Sequence, residues 1–108
     1  MEIGIDIIEI DRINAAMENE KFIHKVYSPE ERQWLEGKPP QSYAGIFAAK
    51  EALVKAGGGV LFDYEIGHEA SGKPFVMTKI NGDFKVSISH CENYATAMAI
   101  KLDKMGQN

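Results

Sequence analysis

The chain has 108 residues, a formal net charge of −4, 44% hydrophobic residues and 26% charged residues. That length suits one domain spanning residues 1–108 with a single core. The acidic balance argues against a nucleic-acid binder, and no apolar run approaches the length of a membrane span. The N-terminus lacks the basic start and long apolar stretch of a signal peptide. The lone cysteine, Cys91, cannot form an internal disulfide, which fits a reducing cytoplasm.

In chain order, Met1 to Ile8 reads as a strand, because Ile3, Ile5 and Ile7 alternate with Gly4 and Asp6. Asp6 then leaves the sheet on the face opposite the isoleucines. Aspartate is poor inside strands, so it needs a local reason to be there. Glu9 to Glu18 reads as a helix with Ile10, Ile13 and Met17 on one side and Arg12 off it. Phe22, Val26 and Tyr27 suggest another helical turn. Ser28-Pro29-Glu30-Glu31 starts a third helix, with Ser as N-cap, Pro at the first position and Glu at the third. Trp34 and Leu35 are its apolar anchors and Gly37 its end.

Phe47 to Ala56 is the central helix, rich in strong helix formers, with Ser42 as the expected N-cap and Gly57 to Gly59 as the stop. The three glycines are no phosphate loop: they end a helix instead of starting one, and no Lys-Ser/Thr follows. Beyond them the period becomes two. Strands are expected near Tyr64 and Ile66, from Phe75 to Thr78, around Val86 and Ile88, and from Tyr94 to Leu102. Ser71-Gly72-Lys73-Pro74 marks a turn and Asn81-Gly82-Asp83 a hairpin. The small face of the last strand, Ala95, Ala97 and Ala99, lets a helix pack closely. The expected architecture is α+β: an early strand, helices, then an antiparallel meander covered by the central helix.

Two carboxylates stand out, Asp6 on a strand and Glu51 on the central helix. Mg²⁺ takes hard oxygen ligands, often one or two protein carboxylates plus water and substrate phosphates. With Lys55 four residues beyond Glu51, the trio suits phosphate transfer: metal for the phosphate charge, ammonium for a phosphate oxygen. The plainer reading makes Glu51 and Lys55 a surface ion pair one helical turn apart. Ser87-Ile88-Ser89-His90-Cys91 contains nucleophile types, but neighbours on a strand point to opposite faces, so a hydrolase triad is not built there. His24 and His68 lack metal-ligand spacing and read as surface residues. Cys91 reads as a small buried or half-buried one.

The stretches Gly4-Ile5-Asp6-Ile7-Ile8-Glu9-Ile10-Asp11-Arg12-Ile13, Phe47-Ala48-Ala49-Lys50-Glu51-Ala52-Leu53-Val54-Lys55-Ala56, Gly72-Lys73-Pro74 and Val86-Ser87-Ile88-Ser89-His90 carry a resemblance. In this order they resemble the motifs of the holo-acyl-carrier-protein synthases, small 4′-phosphopantetheinyl transferases. The resemblance implies that family's fold and reaction. The phosphopantetheine arm of coenzyme A passes to a serine of an apo acyl carrier protein, from fatty-acid or another synthase pathway, and adenosine 3′,5′-bisphosphate leaves. It implies Mg²⁺ on Asp6 and Glu51, with Glu51 and Lys55 catalytic. It further implies coenzyme A contacts from Lys50, Lys55, Gly72, Lys73, Pro74 and His90, and a carrier-protein contact from Arg12. Family members are similar in being homotrimers with sites between subunits. The chain differs from the usual pattern at Gly57-Gly58-Gly59, at a shortened segment up to Ile66, and at Ile46, where an arginine is common. A Mg²⁺-dependent hydrolase of pyrophosphate esters and a non-catalytic carrier- or nucleotide-binding module are the alternatives. The general base is left open between Glu51 and groups outside the chain.

Overall fold

The computed structural model describes residues 1–103. It places β1 (Glu2–Glu9), α1 (Ile10–Ala16), α2 (Glu20–Val26), α3 (Pro29–Leu35) and α4 (Pro40–Gly57) in the first half. A 3-10 turn (Leu61–Asp63) then precedes β2 (Tyr64–His68), β3 (Pro74–Thr78), β4 (Asp83–His90) and β5 (Tyr94–Leu102). The expected α+β class holds, with the central helix packed on antiparallel sheet.

The topology differs from a simple meander. The first strand returns to pair with the last, giving the order β1-β5-β4, while β2 and β3 form a separate two-stranded sheet. Asn81-Gly82 therefore links two sheets instead of closing a hairpin. Its neighbours β3 and β4 are not ladder partners.

The inner face of the larger sheet is small. Gly4 pairs with Ala99, Asp6 with Ala97 and Ile8 with Ala95. The three alanines are fully or almost fully buried. Helix α4 answers with its own small stripe, Ala44, Ala48, Ala52 and Ala56, spaced four apart on one face. The approach is closest at Gly4, where an added Cβ would lie 1.9 Å from the carbonyl oxygen of Ala52. Only glycine fits there. The small face expected on β5 thus has its physical counterpart in the helix above it.

One boundary of α4 departs from expectation and the other meets it. The helix starts earlier, with Pro40 at its first position and Pro39 as N-cap, so Ser42 lies inside the first turn. Proline suits that place, since its missing N–H would have no partner there. At the other end Gly58 adopts φ +85°, and its N–H closes on the Val54 carbonyl at 2.8 Å. The glycine run is a helix stop, as expected.

The other side of α4 carries a buried polar hub. Ser28 and Glu31 form the expected capping box: Ser28 N–H donates to Glu31 Oε1 at 2.9 Å, and Glu31 N–H to Ser28 Oγ at 3.1 Å. Glu31 does more than cap. Its Oε2 accepts the Ile66 N–H at 2.7 Å, and Oε1 also accepts from the Lys50 ammonium, which donates to the Val26 carbonyl as well. Both side chains are fully buried. Burial lowers the Lys50 pKa from its ordinary value, and the adjoining Glu31 carboxylate opposes that shift. One ion pair thereby ties α2, α3, α4 and β2 together.

Removing one partner of a buried pair strands the other charge, at a cost of about 3–5 kcal/mol. Lys50→Met should therefore lower unfolding free energy by about that amount in urea titrations. Adding Glu31→Gln should recover much of the loss. A Lys50→Met protein as stable as wild type would contradict this role.

Candidate active site

Asp6 sits mid-strand on the inner face of β1, the face pressed against α4. Its strand neighbours Ile5 and Ile7 point the other way and are exposed. Glu51 lies on α4 next to Ala52, whose carbonyl touches Gly4. The close packing at Gly4 therefore delivers Glu51 to Asp6. The two carboxylates line one cleft of about 420 Å³ together with Ile8, Arg12, Phe22 and Phe47.

The electrostatics confirm their proximity. Burial raises the Glu51 carboxyl above its ordinary pKa, and the Asp6 charge raises it further, while Lys55 pulls it back. Asp6 Oδ2 is buried and has no hydrogen-bond partner. Two carboxylates crowd together here with an acceptor oxygen unsatisfied, which is an arrangement suited to a cation. Among the described residues no third His, Cys, Asp or Glu completes a larger metal-binding group.

Lys55 joins the pair from the C-terminal turn of α4. Its ammonium donates to the Ile5 carbonyl at 2.9 Å and lies 3.4 Å from Asp6 Oδ1. The expected surface pair with Glu51 is therefore replaced by a pair with Asp6 across the helix–strand contact. Lys55 is half exposed, so its ammonium also remains open to a ligand. Arg12 is exposed on α1 and lines the same cleft.

The remaining candidates separate. Gly72, Pro74 and His90 line a second cleft of about 220 Å³, with Ile46 and Ser42 from the first half of α4. Lys73 is exposed on the β2–β3 turn and lines neither cleft. Lys50 must be corrected: an ammonium with no exposure, held by Glu31 and Val26, is not available to coenzyme A. Cys91 is corrected too, being exposed. His68 is half-buried, not a surface residue, and stacks on Trp34. The sequence carried a signal for it: the inward alternation of Tyr64 and Ile66 on β2 continues to His68. Glu31 was legible as a cap but not as the buried partner of Lys50, because nothing in the spacing joins residues in separate helices.

Comparison with known proteins agrees with the geometry. Residues 2–99 match the family model of the 4′-phosphopantetheinyl transferase superfamily. A holo-[acyl-carrier-protein] synthase of Fusobacterium nucleatum is 44% identical, covering 93% of this chain and 97% of that protein. One from Protochlamydia amoebophila is 43% identical, covering 91% and 94%. Among solved structures, a holo-(acyl-carrier-protein) synthase from Bacillus anthracis in complex with CoA (3′,5′-ADP) superimposes with a TM-score of 0.85 at 32% identity, covering 95% of this chain and 96% of that one. The Helicobacter pylori enzyme in complex with coenzyme A gives a TM-score of 0.82 at 30% identity, over 92% and 98%. With its carboxylates gathered by β1 and α4 and the match running through nearly its whole length, this chain belongs to the 4′-phosphopantetheinyl transferase superfamily.

Proposed function

We propose that this chain transfers the 4′-phosphopantetheine arm of coenzyme A to a serine of an apo acyl carrier protein, with Mg²⁺ held by Asp6 and Glu51. The observation that carries the reading is the pairing of these carboxylates in one cleft, with Asp6 Oδ2 buried and unpartnered. A buried acceptor without a donor costs about 1–3 kcal/mol, a cost a bound cation would remove. When bound, Mg²⁺ supplies positive charge against the pyrophosphate of coenzyme A.

The chain's own groups then divide the work. Asp6 and Glu51 are carried on β1 and α4, which pack closely at Gly4, and both line the same cleft. Lys55 lies beside Asp6 and places a mobile ammonium where a phosphate oxygen gains charge during transfer. The serine oxygen bonds to the phosphorus of the transferred group, the bond to adenosine 3′,5′-bisphosphate breaks, and the hydroxyl proton passes to a base, either Glu51 or a group outside the chain. Arg12 is exposed at the mouth of the cleft and presents a cation to an acidic carrier protein. The second cleft, with Gly72, Pro74 and His90, takes the nucleotide end of coenzyme A. Among the described residues no helix is long and apolar enough to cross a membrane. The free Cys91 accords with action in the cytoplasm.

Assembly as a homotrimer is part of the same proposal. The outer face of β1 and β5 exposes Ile3 (57%), Ile5 (63%), Ile7 (65%) and Met98 (43%) side by side. Contiguous apolar surface of this kind marks an interaction site. The Ala95, Ala97 and Ala99 face of β5 lies inside, under α4, and adds nothing to that surface. The exposed side chains of Phe75 and Met77 stay available.

Asp6→Ala and Glu51→Ala should each abolish the mass increase of an apo carrier incubated with coenzyme A and Mg²⁺. Lys55→Met should lower kcat by about 10²–10³, comparable to losing one donor to a developing anion. Its stability should fall only slightly, since Lys55 is half exposed and water can take the place of its ammonium. Wild-type kcat in Lys55→Met would remove it from the reaction. Cleavage of coenzyme A without any gain in carrier mass would favour the hydrolase reading instead.

Light scattering should give three times the mass of one chain, and Ile5→Glu should dissociate it. A fully active monomer would rule out a shared site.

A further inference from the structure

The second cleft holds a feature that the carboxylate site does not use. Its walls are formed by Trp34, Ser42, Ile46, Pro74 and two histidines, His68 and His90. In a chain of net charge −4, no Asp or Glu lines it among the described residues. The Trp34 and His68 rings stack with centroids 3.6 Å apart and planes 2° from parallel. Lys38 places its ammonium 4.5 Å from the Trp34 ring centroid, where the π face attracts it. The imidazole of His68 is thus held flat against Trp34, and the Lys38 charge acts on it.

The ring nitrogens of His68 are not equivalent. Nδ1 is shut off from solvent and has no partner. A buried N–H without an acceptor is rarer and costlier than an unfilled lone pair. The proton therefore belongs on Nε2, the nitrogen left to meet the cleft, where it is a donor. Burial and the Lys38 charge lower the pKa of His68, against an opposing pull from Glu31.

We propose that His68, held flat against Trp34, donates its Nε2–H to the 3′-phosphate of coenzyme A and sets the preference for a 3′-phosphorylated nucleotide. The ligand must be anionic because the cleft offers donors, two imidazoles and no carboxylate. Its apolar walls, Ile46 and Pro74, suit the flat adenine of the nucleotide whose ribose carries the phosphate. This assignment rests on the transferase reading only in naming coenzyme A as the ligand.

The test is calorimetric titration of the full-length protein with coenzyme A and with dephospho-coenzyme A, which lacks only the 3′-phosphate. His68→Phe keeps the aromatic stack and removes the donor. His68→Gln restores a donor without the stack. Wild type should prefer coenzyme A. His68→Phe should lose about tenfold in affinity for coenzyme A, as expected for one hydrogen bond to a charged group. Its affinity for dephospho-coenzyme A should be unchanged. His68→Gln should retain part of the preference. Equal losses for both ligands, or no loss for either, would overturn the assignment. If wild type transfers phosphopantetheine yet His68→Phe keeps its full preference, the His68 role alone fails. If wild type shows the His68-dependent preference but modifies no carrier, the transferase reading alone fails.

Discussion

The contact between α4 and β1 is the constraint on which the rest depends. Gly4 has no side chain, so the helix backbone at Ala52 comes down onto the strand. Neighbouring alanines on β5 and on α4 keep that gap narrow along its length. A narrow gap leaves no room for a large residue but brings together the polar groups at its rim. Asp6 is two residues from Gly4 on the same face, and Glu51 adjoins Ala52. A site assembled on a strand and a long helix is held more rigidly than one assembled on loops.

Two polar centres flank α4, and their energetics are opposite. Glu31 and Lys50 are completely buried and completely used: the carboxylate accepts from two backbone N–H groups and the ammonium, and the ammonium reaches a carbonyl besides. Such a centre gives the fold its register, since each partner comes from a different element. The Asp6 and Glu51 centre is unfinished. One Asp6 oxygen has no donor, and the neighbouring charge works against ionisation of Glu51. Folding satisfies the first centre by itself and leaves the second with a buried acceptor unfilled.

Much of this was legible in the sequence, and the failures have physical causes. Alternation around Asp6 correctly put it opposite the isoleucines, but a period of two does not say which face meets the core. Here the isoleucine face is the exposed one. The glycine stop, the capping box and the alanine face of β5 were all read from local chemistry and stand. Lys50 was misplaced because the family resemblance carried it over as a coenzyme A contact along with the rest of its motif. Its true partner lies 19 positions away in another helix. The split of the later strands into two sheets was also hidden, since strand partners depend on how the chain packs and not on any one turn. The motifs that carried the family resemblance were sound, since the family match runs through residues 2–99 and contains all of them.

The most direct test of the account is a crystal structure grown with Mn²⁺ in place of Mg²⁺ and read by anomalous scattering. One metal peak should appear between β1 and α4, within direct ligand distance of both the Asp6 and Glu51 carboxylates. A peak on only one of them, or at another place on the protein, would contradict the proposal that Asp6 and Glu51 hold the metal together.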